Sequence, residues 1–304
     1  MISVIIATRD RAEVLARCLE HVMTQEGGPF ETIIVDNSVD QQSTRAVVAR
    51  FPGVNYLRAD PNKRNLALMR NLGIQASHGE ILAFIDDDTL VAPGWLSALV
   101  EAFADPQVGG VSGRVIETDT PEVCTPEIGR FTPRGQITMN FNNMIDRPVP
   151  VEFLYGCNMA FRRSALARVG MYDPWYGIVY EEQDLSFRIR KAGYRTLFHP
   201  GLTGQHLKAS RPAGVTRRSN EFDSRSLHVS SRSLSYLCVS HFGVRFDFAR
   251  VAFVNLPKGA LRSFVDQPSL PRLLAIPAVL TGGLVGYLMA AARKFHIHRP
   301  PALG

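Results

Sequence analysis

Residues 84–90 read FIDDDTL, three adjacent carboxylates directly after the apolar run EILAFI. Like charges side by side repel one another, and each costs free energy when it leaves water without a partner. Turn or cap chemistry needs only one of them: Asp88 or Thr89 suits the N-terminus of the helix suggested by PGWLSALVEAF. Three exceed that need. A bound cation accounts for the excess, and hard oxygen ligands select Mg2+ or Mn2+. A second acidic group, Glu181, Glu182 and Asp184, opens the segment EEQDLSFRIRKAG. A carboxylate positioned there has the chemistry to take a proton from an attacking hydroxyl, and partial burial beside other acids raises its pKa usefully. A blander account of Asp184 is an ion pair with Arg188, four residues on along one helix.

These acids need elements to position them. SVIIA reads as a strand, followed by Val14, Leu15, Cys18, Leu19 and Val22 at helical spacing. TIIVD, VNYL and ILAFID read as further strands, separated by the helical segments TRAVVARF and NLALMRNLGIQAS. Buried apolar strands alternating with helices indicate a parallel, doubly wound α/β sheet. Such sheets bind ligands at the carboxyl ends of their strands, where Asp36 and Asp86–Asp88 fall. The first strand is followed by ATRDRAE rather than a glycine-rich fingerprint, which disfavours a nicotinamide-binding domain. Residues 110–150 read as loops and short strands along one wall of a cleft. EEQDLSFRIRKAG is a helix closed by Gly193, and YRTLFHP is a strand that makes His199 a core or edge residue. Beyond about 216 the alternation gives way to longer helical segments.

Composition narrows the class. The 304 residues are 45% hydrophobic and 20% charged, a globular balance. Cys18, Cys124, Cys157 and Cys238 form no CxxC pair, which argues against a zinc site or disulfide framework and suits a reducing compartment. The opening MISVIIATRDRAEV lacks the basic and long apolar regions of a signal peptide. Residues 216–304 carry 12 Lys/Arg against 4 Asp/Glu, a balance of +8, leaving 22 against 24 in residues 1–215. Anionic lipid and nucleic acid are both candidate partners for that tail; it has no recognisable nucleic-acid-binding motif. The uncharged run Leu273–Ala292 is long enough to span a bilayer. Pro277, Gly282, Gly283 and Gly286 interrupt it, and spanning would leave Arg293, Lys294 and Arg299 on the wrong side. A helix lying on the cytoplasmic face fits better; the alternative is a helix packed on the α/β domain.

Five motifs, in order, are SVIIATRDRAEVLARCLEHVMTQ, TIIVDNSVDQQST, RNLALMRNLGIQASHGEILAFIDDDT, YGCNMAFRRSALARVGMYDP and EEQDLSFRIRKAGYR. Together, over about residues 1–210, they resemble the bacterial-type inverting family-2 glycosyltransferases of GT-A fold, including polysaccharide and rhamnosyl transferases. The resemblance implies a doubly wound, nucleotide-binding mixed α/β sheet over residues 1–215, with a basic, mostly helical appendage over 216–304. It places Thr8, Arg9, Arg70 and Asn71 beside the nucleotide and Asp36 at the base. Asp86 and Asp88 bracket the metal-binding DxD, with Asp86 and Asp87 on the donor side and His206 as a further metal ligand. Gly156, Cys157 and Asn158, with Asp184, line the sugar and acceptor. Glu182, seconded by Glu181, takes the place of the catalytic base. Two departures stand out: Glu holds the base position where Asp is commoner, and Asn65 stands where glycine is frequent.

The implied activity is metal-dependent transfer of a sugar from a nucleotide-diphosphate donor to a glycan or lipid-linked acceptor. The implied setting is the cytoplasmic face of an anionic membrane, with no nucleic-acid partner. A nucleotidyltransferase would want a glycine-rich, basic loop after the first strand. An inactive sugar-nucleotide-binding scaffold would be expected to have lost one of the site acids.

Overall fold

The computed structural model describes residues 1–132, 136–209, 224–242 and 270–295. The chain forms two compact units, one gathering Met1–Arg130 and Thr138–Pro212, the other Phe131–Ile137 and Ala213–Arg299. The expected boundary at 215 lies outside the described residues.

In the first unit the apolar runs become β1 (Ile2–Thr8), β2 (Phe30–Asp36), β3 (Val54–Arg58) and β4 (Ile81–Asp86), parallel and ordered β3-β2-β1-β4. Helix α1 (Ala12–Met23) buries Leu15, Cys18, Leu19 and Val22, the stripe its spacing predicts. Helix α2 (Gln41–Val48) starts at Asp40, whose carboxylate accepts from the Gln42 amide. Helix α3 (Leu66–Ala76) starts at Asn65: its side-chain oxygen accepts from the Leu68 amide at 3.0 Å, and its amide nitrogen donates to the Pro174 carbonyl at 2.6 Å. Where glycine is frequent, this chain therefore has a helix cap that also ties down a distant loop.

The remainder of the sheet is mixed, as the resemblance implies. Strand β10 (Asn158–Arg162) runs antiparallel between β4 and β6 (Val108–Ile116). Strand β11 (Arg195–His206) runs parallel to β6 and antiparallel to β5 (Thr89–Val91). Helices α4 (Trp95–Ala102), α5 (Arg163–Val169) and α6 (Glu181–Lys191) complete the unit. The nine residues of β6 correct the reading of residues 110–150 as loops and short strands. Glycine lowers strand propensity and hid β6, yet packing demands it here: a Cβ on Gly113 would lie 1.7 Å from the Leu202 carbonyl oxygen. Beyond β6 the described residues of the segment are irregular as expected, with the short strands β7 (Arg130–Phe131), β8 (Ile137–Thr138) and β9 (Val149–Pro150).

In the second unit α7 (Ser224–Phe242) packs on α8 (Leu270–Phe295). Gly282 and Gly286 bring the backbones together: a Cβ at either would fall 2.3 Å or less from the His228 or Arg232 carbonyl oxygen. The other face of α8 exposes Leu280, Leu284, Val285, Leu288 and Met289. Among the described residues no helix is long and apolar enough to cross a membrane.

Candidate active site

Sheet register assembles the acidic centre. Strand β4 ends with Asp86 beside Ala7 of β1, and β11 sets His206 opposite Thr89 of β5. Asp86, Asp88 and His206 each offer one ligand atom, all within 4.8 Å of one another. Asp88 Oδ2 accepts from the Ala209 amide at 3.0 Å, and the Leu207 amide donates to the Asp88 carbonyl at 2.9 Å. Asp88 Oδ1 is buried without a hydrogen-bond partner and lies 3.4 Å from His206 Nε2. Asp87 differs from both neighbours. It is fully buried and accepts from the Thr8 hydroxyl at 2.7 Å and from Arg11 Nε at 3.1 Å. Arg11 Nη1 also reaches Asp88 Oδ2 at 3.0 Å. The middle aspartate and Thr8 thus brace the turn, and the outer two face the histidine.

Burial and pairing set the charges here. Desolvation alone would raise the Asp88 carboxyl, yet the neighbouring His206 and the charge of Arg11 hold it at about 2. Desolvation would lower His206, but Asp88 and Glu117 lift it to about 9. Burial pushes Asp87 upward against the opposing charge of Arg11.

Arg70, on α3, organises the second group of acids. Its guanidinium lies 3.1 Å from Glu181 Oε1 and 3.6 Å from Asp86 Oδ1, and it donates to the Gly156 carbonyl at 3.0 Å. Helix α6 begins at Glu181 and carries Glu181, Glu182 and Asp184 in its first turn, where acids complement the helix dipole. Tyr180, just before it, takes a left-handed backbone at φ 67°. A Cβ at Gly156 would meet Arg70 Nη2 at 3.1 Å and Glu182 Oε1 at 3.4 Å, so this glycine leaves room between the two side chains. Glu182 Oε2 is buried with no hydrogen-bond partner.

The other predicted site residues are committed to the fold. The Asp36 carboxylate is fully buried, accepting from Tyr56 OH at 2.6 Å and the Ser38 amide at 2.8 Å, with Arg58 at 3.5 Å. Arg9 donates to the Asn37 side chain and to the Asn37 and Pro61 carbonyls. Asn71 exchanges both ends of its amide with the Tyr172 backbone, at 2.9 and 3.0 Å, which ties α3 to the loop before α6. Asn158 accepts from Trp95 Nε1 and donates to the Arg114 and Leu202 carbonyls. Cys157 is buried, and Asp184 forms the intrahelical pair with Arg188 at 2.8 Å. Asn71 and Asn158 therefore cross-link elements around the site, and Asp184 also accepts from Tyr176 OH at 3.3 Å. Sequence reasoning overlooked Arg11, although it stands in the ATRDRAE stretch, and Glu117, which follows the overlooked β6.

Residues 3–170 match Glycosyl transferase family 2. Among curated relatives, N-acetylglucosaminyl-diphospho-decaprenol L-rhamnosyltransferase of Mycobacterium tuberculosis is 26% identical over 239 residues, 69% of this chain and 76% of its own. Glucosyl-dolichyl phosphate glucuronosyltransferase of Haloferax volcanii is 27% identical over 180 residues, 57% of this chain and 56% of its own. The chain spans 24% to 56% of the length of three of the curated relatives it matches. Among solved structures, the mannosyltransferase PcManGT of Pyrobaculum calidifontis, determined with GDP-Man and Mn2+, superposes with a TM-score of 0.55. Identity is 21%, covering 98% of this chain and 88% of that one, a likeness that shows the GT-A fold. With more than half its length matching the family model, this chain belongs to glycosyl transferase family 2.

Proposed function

We propose that this protein is a divalent-metal-dependent inverting glycosyltransferase, moving a sugar from a nucleotide-diphosphate-sugar donor to a hydroxyl of a glycan or lipid-linked acceptor. The observation that carries the reading is the convergence of Asp86, Asp88 and His206 from two strand ends within a family-2 chain. The two carboxylates suit Mn2+ or Mg2+, His206 stands as a third ligand beside them, and the orphaned Asp88 Oδ1 fits a ligand position. When bound, the cation offsets charge developing on the departing diphosphate.

The chain's own residues supply the remaining chemistry. The acceptor oxygen attacks the anomeric carbon on the face opposite the diphosphate, that carbon's bond to the diphosphate oxygen breaks, and the configuration inverts. The hydroxyl proton passes to Glu182, whose buried Oε2 has an uncommitted lone pair. Glu181 is held by Arg70 and supports its neighbour. Thr8 and Arg11 brace Asp87, and through it the turn that presents Asp86 and Asp88.

The names of the decaprenol- and dolichol-dependent relatives support a lipid-linked acceptor. The basic tail and the exposed apolar stripe of α8 support attachment to the cytoplasmic face of an anionic membrane, in polysaccharide biosynthesis. Titration of a nucleotide-sugar panel with Mn2+ or Mg2+, read as hydrolysis or thermal stabilisation, tests the activity. Asp88→Ala should abolish cation-dependent binding of the nucleoside diphosphate; unchanged calorimetric affinity in that variant would remove the proposal.

A further inference from the structure

Glu117 follows the last residue of β6, and the chemistry above does not use it. Its side chain is nearly buried and gathers four donors. Oε1 accepts from Tyr155 OH at 2.9 Å and faces His206 Nδ1 at 2.8 Å; Oε2 accepts from Thr120 Oγ1 at 2.8 Å and from Lys208 Nζ at 3.0 Å. An ionised carboxylate leaving water needs such partners, and these hold it well below its usual range despite burial.

The arrangement divides the two nitrogens of His206. Nδ1 faces Glu117, and Nε2 lies 3.4 Å from Asp88 Oδ1. With Nδ1–H donated to Glu117, the lone pair of the neutral ring stays on Nε2, the nitrogen beside the aspartates. The same carboxylate anchors the backbone that follows. Lys208, in a left-handed conformation at φ 49°, reaches Glu117, while the amides on either side of it bind Asp88.

We propose that Glu117 is a positioning residue for the cation site, fixing the His206 imidazole so that Nε2 is presented beside Asp86 and Asp88. The inference rests on the metal reading above. Partners of this kind orient a ligating histidine and raise its basicity, and their loss typically weakens metal binding about 10–100-fold.

The experiment is titration of Mn2+ alone into the full-length protein, read by calorimetry and by the electron paramagnetic resonance signal of free Mn2+. Glu117→Gln should weaken Mn2+ binding roughly 10–100-fold. In a His206→Ala background the same substitution should cause no further loss, because the effect runs through that ring. Unchanged affinity in Glu117→Gln overturns the proposal. So does an equal loss with His206 already removed, which would mark a general field or folding effect. If melting shows that Glu117→Gln fails to fold, Tyr155→Phe substitutes: it removes one donor to Glu117 and should weaken Mn2+ binding several-fold, and unchanged affinity there overturns the proposal too. Native protein that binds no Mn2+ would defeat the metal reading itself, a result distinct from a silent Glu117 variant.

Discussion

The Arg70 guanidinium and the Glu181 carboxylate meet at 3.1 Å, both buried, across 111 positions of sequence. The pair joins α3 to the start of α6, and the same guanidinium reaches Asp86 and sits 5.4 Å from the Tyr172 ring. One buried cation thus couples the strand end that carries the candidate metal-site acids to the helix that carries the candidate base. Removing one partner of a buried pair strands the other charge, typically at about 3–5 kcal/mol. Arg70→Met should cost on that order in urea unfolding, whereas Arg70→Met with Glu181→Leu should recover much of it. Equal costs for the single and double variants would show that the pair is not the coupling.

Glu182, rather than Glu181, should carry the proton transfer. The two follow one another on α6 and point about 100° apart, and Glu181 is already bound to Arg70. Glu182→Gln keeps the size and removes the basic lone pair, so transfer should fall about 10²–10⁴-fold with donor affinity retained. Glu181→Gln should lower stability more than it lowers the rate per folded molecule. Near-normal transfer by Glu182→Gln, with collapse in Glu181→Gln, would reverse the assignment.

Cation binding should depend on pH through His206. In the metal-free protein Asp88 and Glu117 hold this imidazole protonated up to about pH 9. A metal takes the neutral ring, so below that pH it must displace one proton. Mn2+ affinity should rise by up to about tenfold per pH unit and flatten above about 9, with proton release visible as a buffer-dependent binding enthalpy. The stability of the metal-free fold carries the opposite sign. The raised folded-state pKa contributes stability that is full below the ordinary value of 6.5 and fades as pH rises through about 9. A pH-independent Mn2+ affinity from pH 6 to 8 would exclude His206 as the ligand.

Membrane attachment should run through α8. The helix carries Arg272, Arg293 and Lys294 and no acid, and it exposes Leu284 and Leu288. Polybasic attraction is screened by salt, whereas inserted apolar surface is not. High salt should release the protein only partly from vesicles containing phosphatidylglycerol. Leu284→Glu with Leu288→Glu should reduce sedimentation with those vesicles in low salt, and sedimentation equal to native would place the contact elsewhere.

Much of the architecture was legible along the chain because it follows from local rules. Each buried strand of the parallel half is a short apolar run, and α1 shows the spacing of a helix with one buried stripe. The adjacent aspartates and the acids of EEQD signalled chemistry because unpartnered like charges are costly. Strand β6 stayed hidden because its glycines are dictated by close neighbours far along the chain, at Gly113 by Leu202 of β11.

What the chain alone could not divide, tertiary contacts did. Asp86, Asp87 and Asp88 are chemically alike in a string of letters; only the fold ties the middle one to Thr8 and Arg11 and gathers the outer two with His206. Asn71 and Asn158 stand out by motif, and only the fold shows that their amides bind the Tyr172 backbone, Trp95 and distant carbonyls. Glu117 carries no sequence signal, because its role depends on a histidine 89 positions away that sheet register brings to 2.8 Å. Apolar periodicity is a property of neighbours in sequence; a partner for a buried charge is a property of neighbours in space.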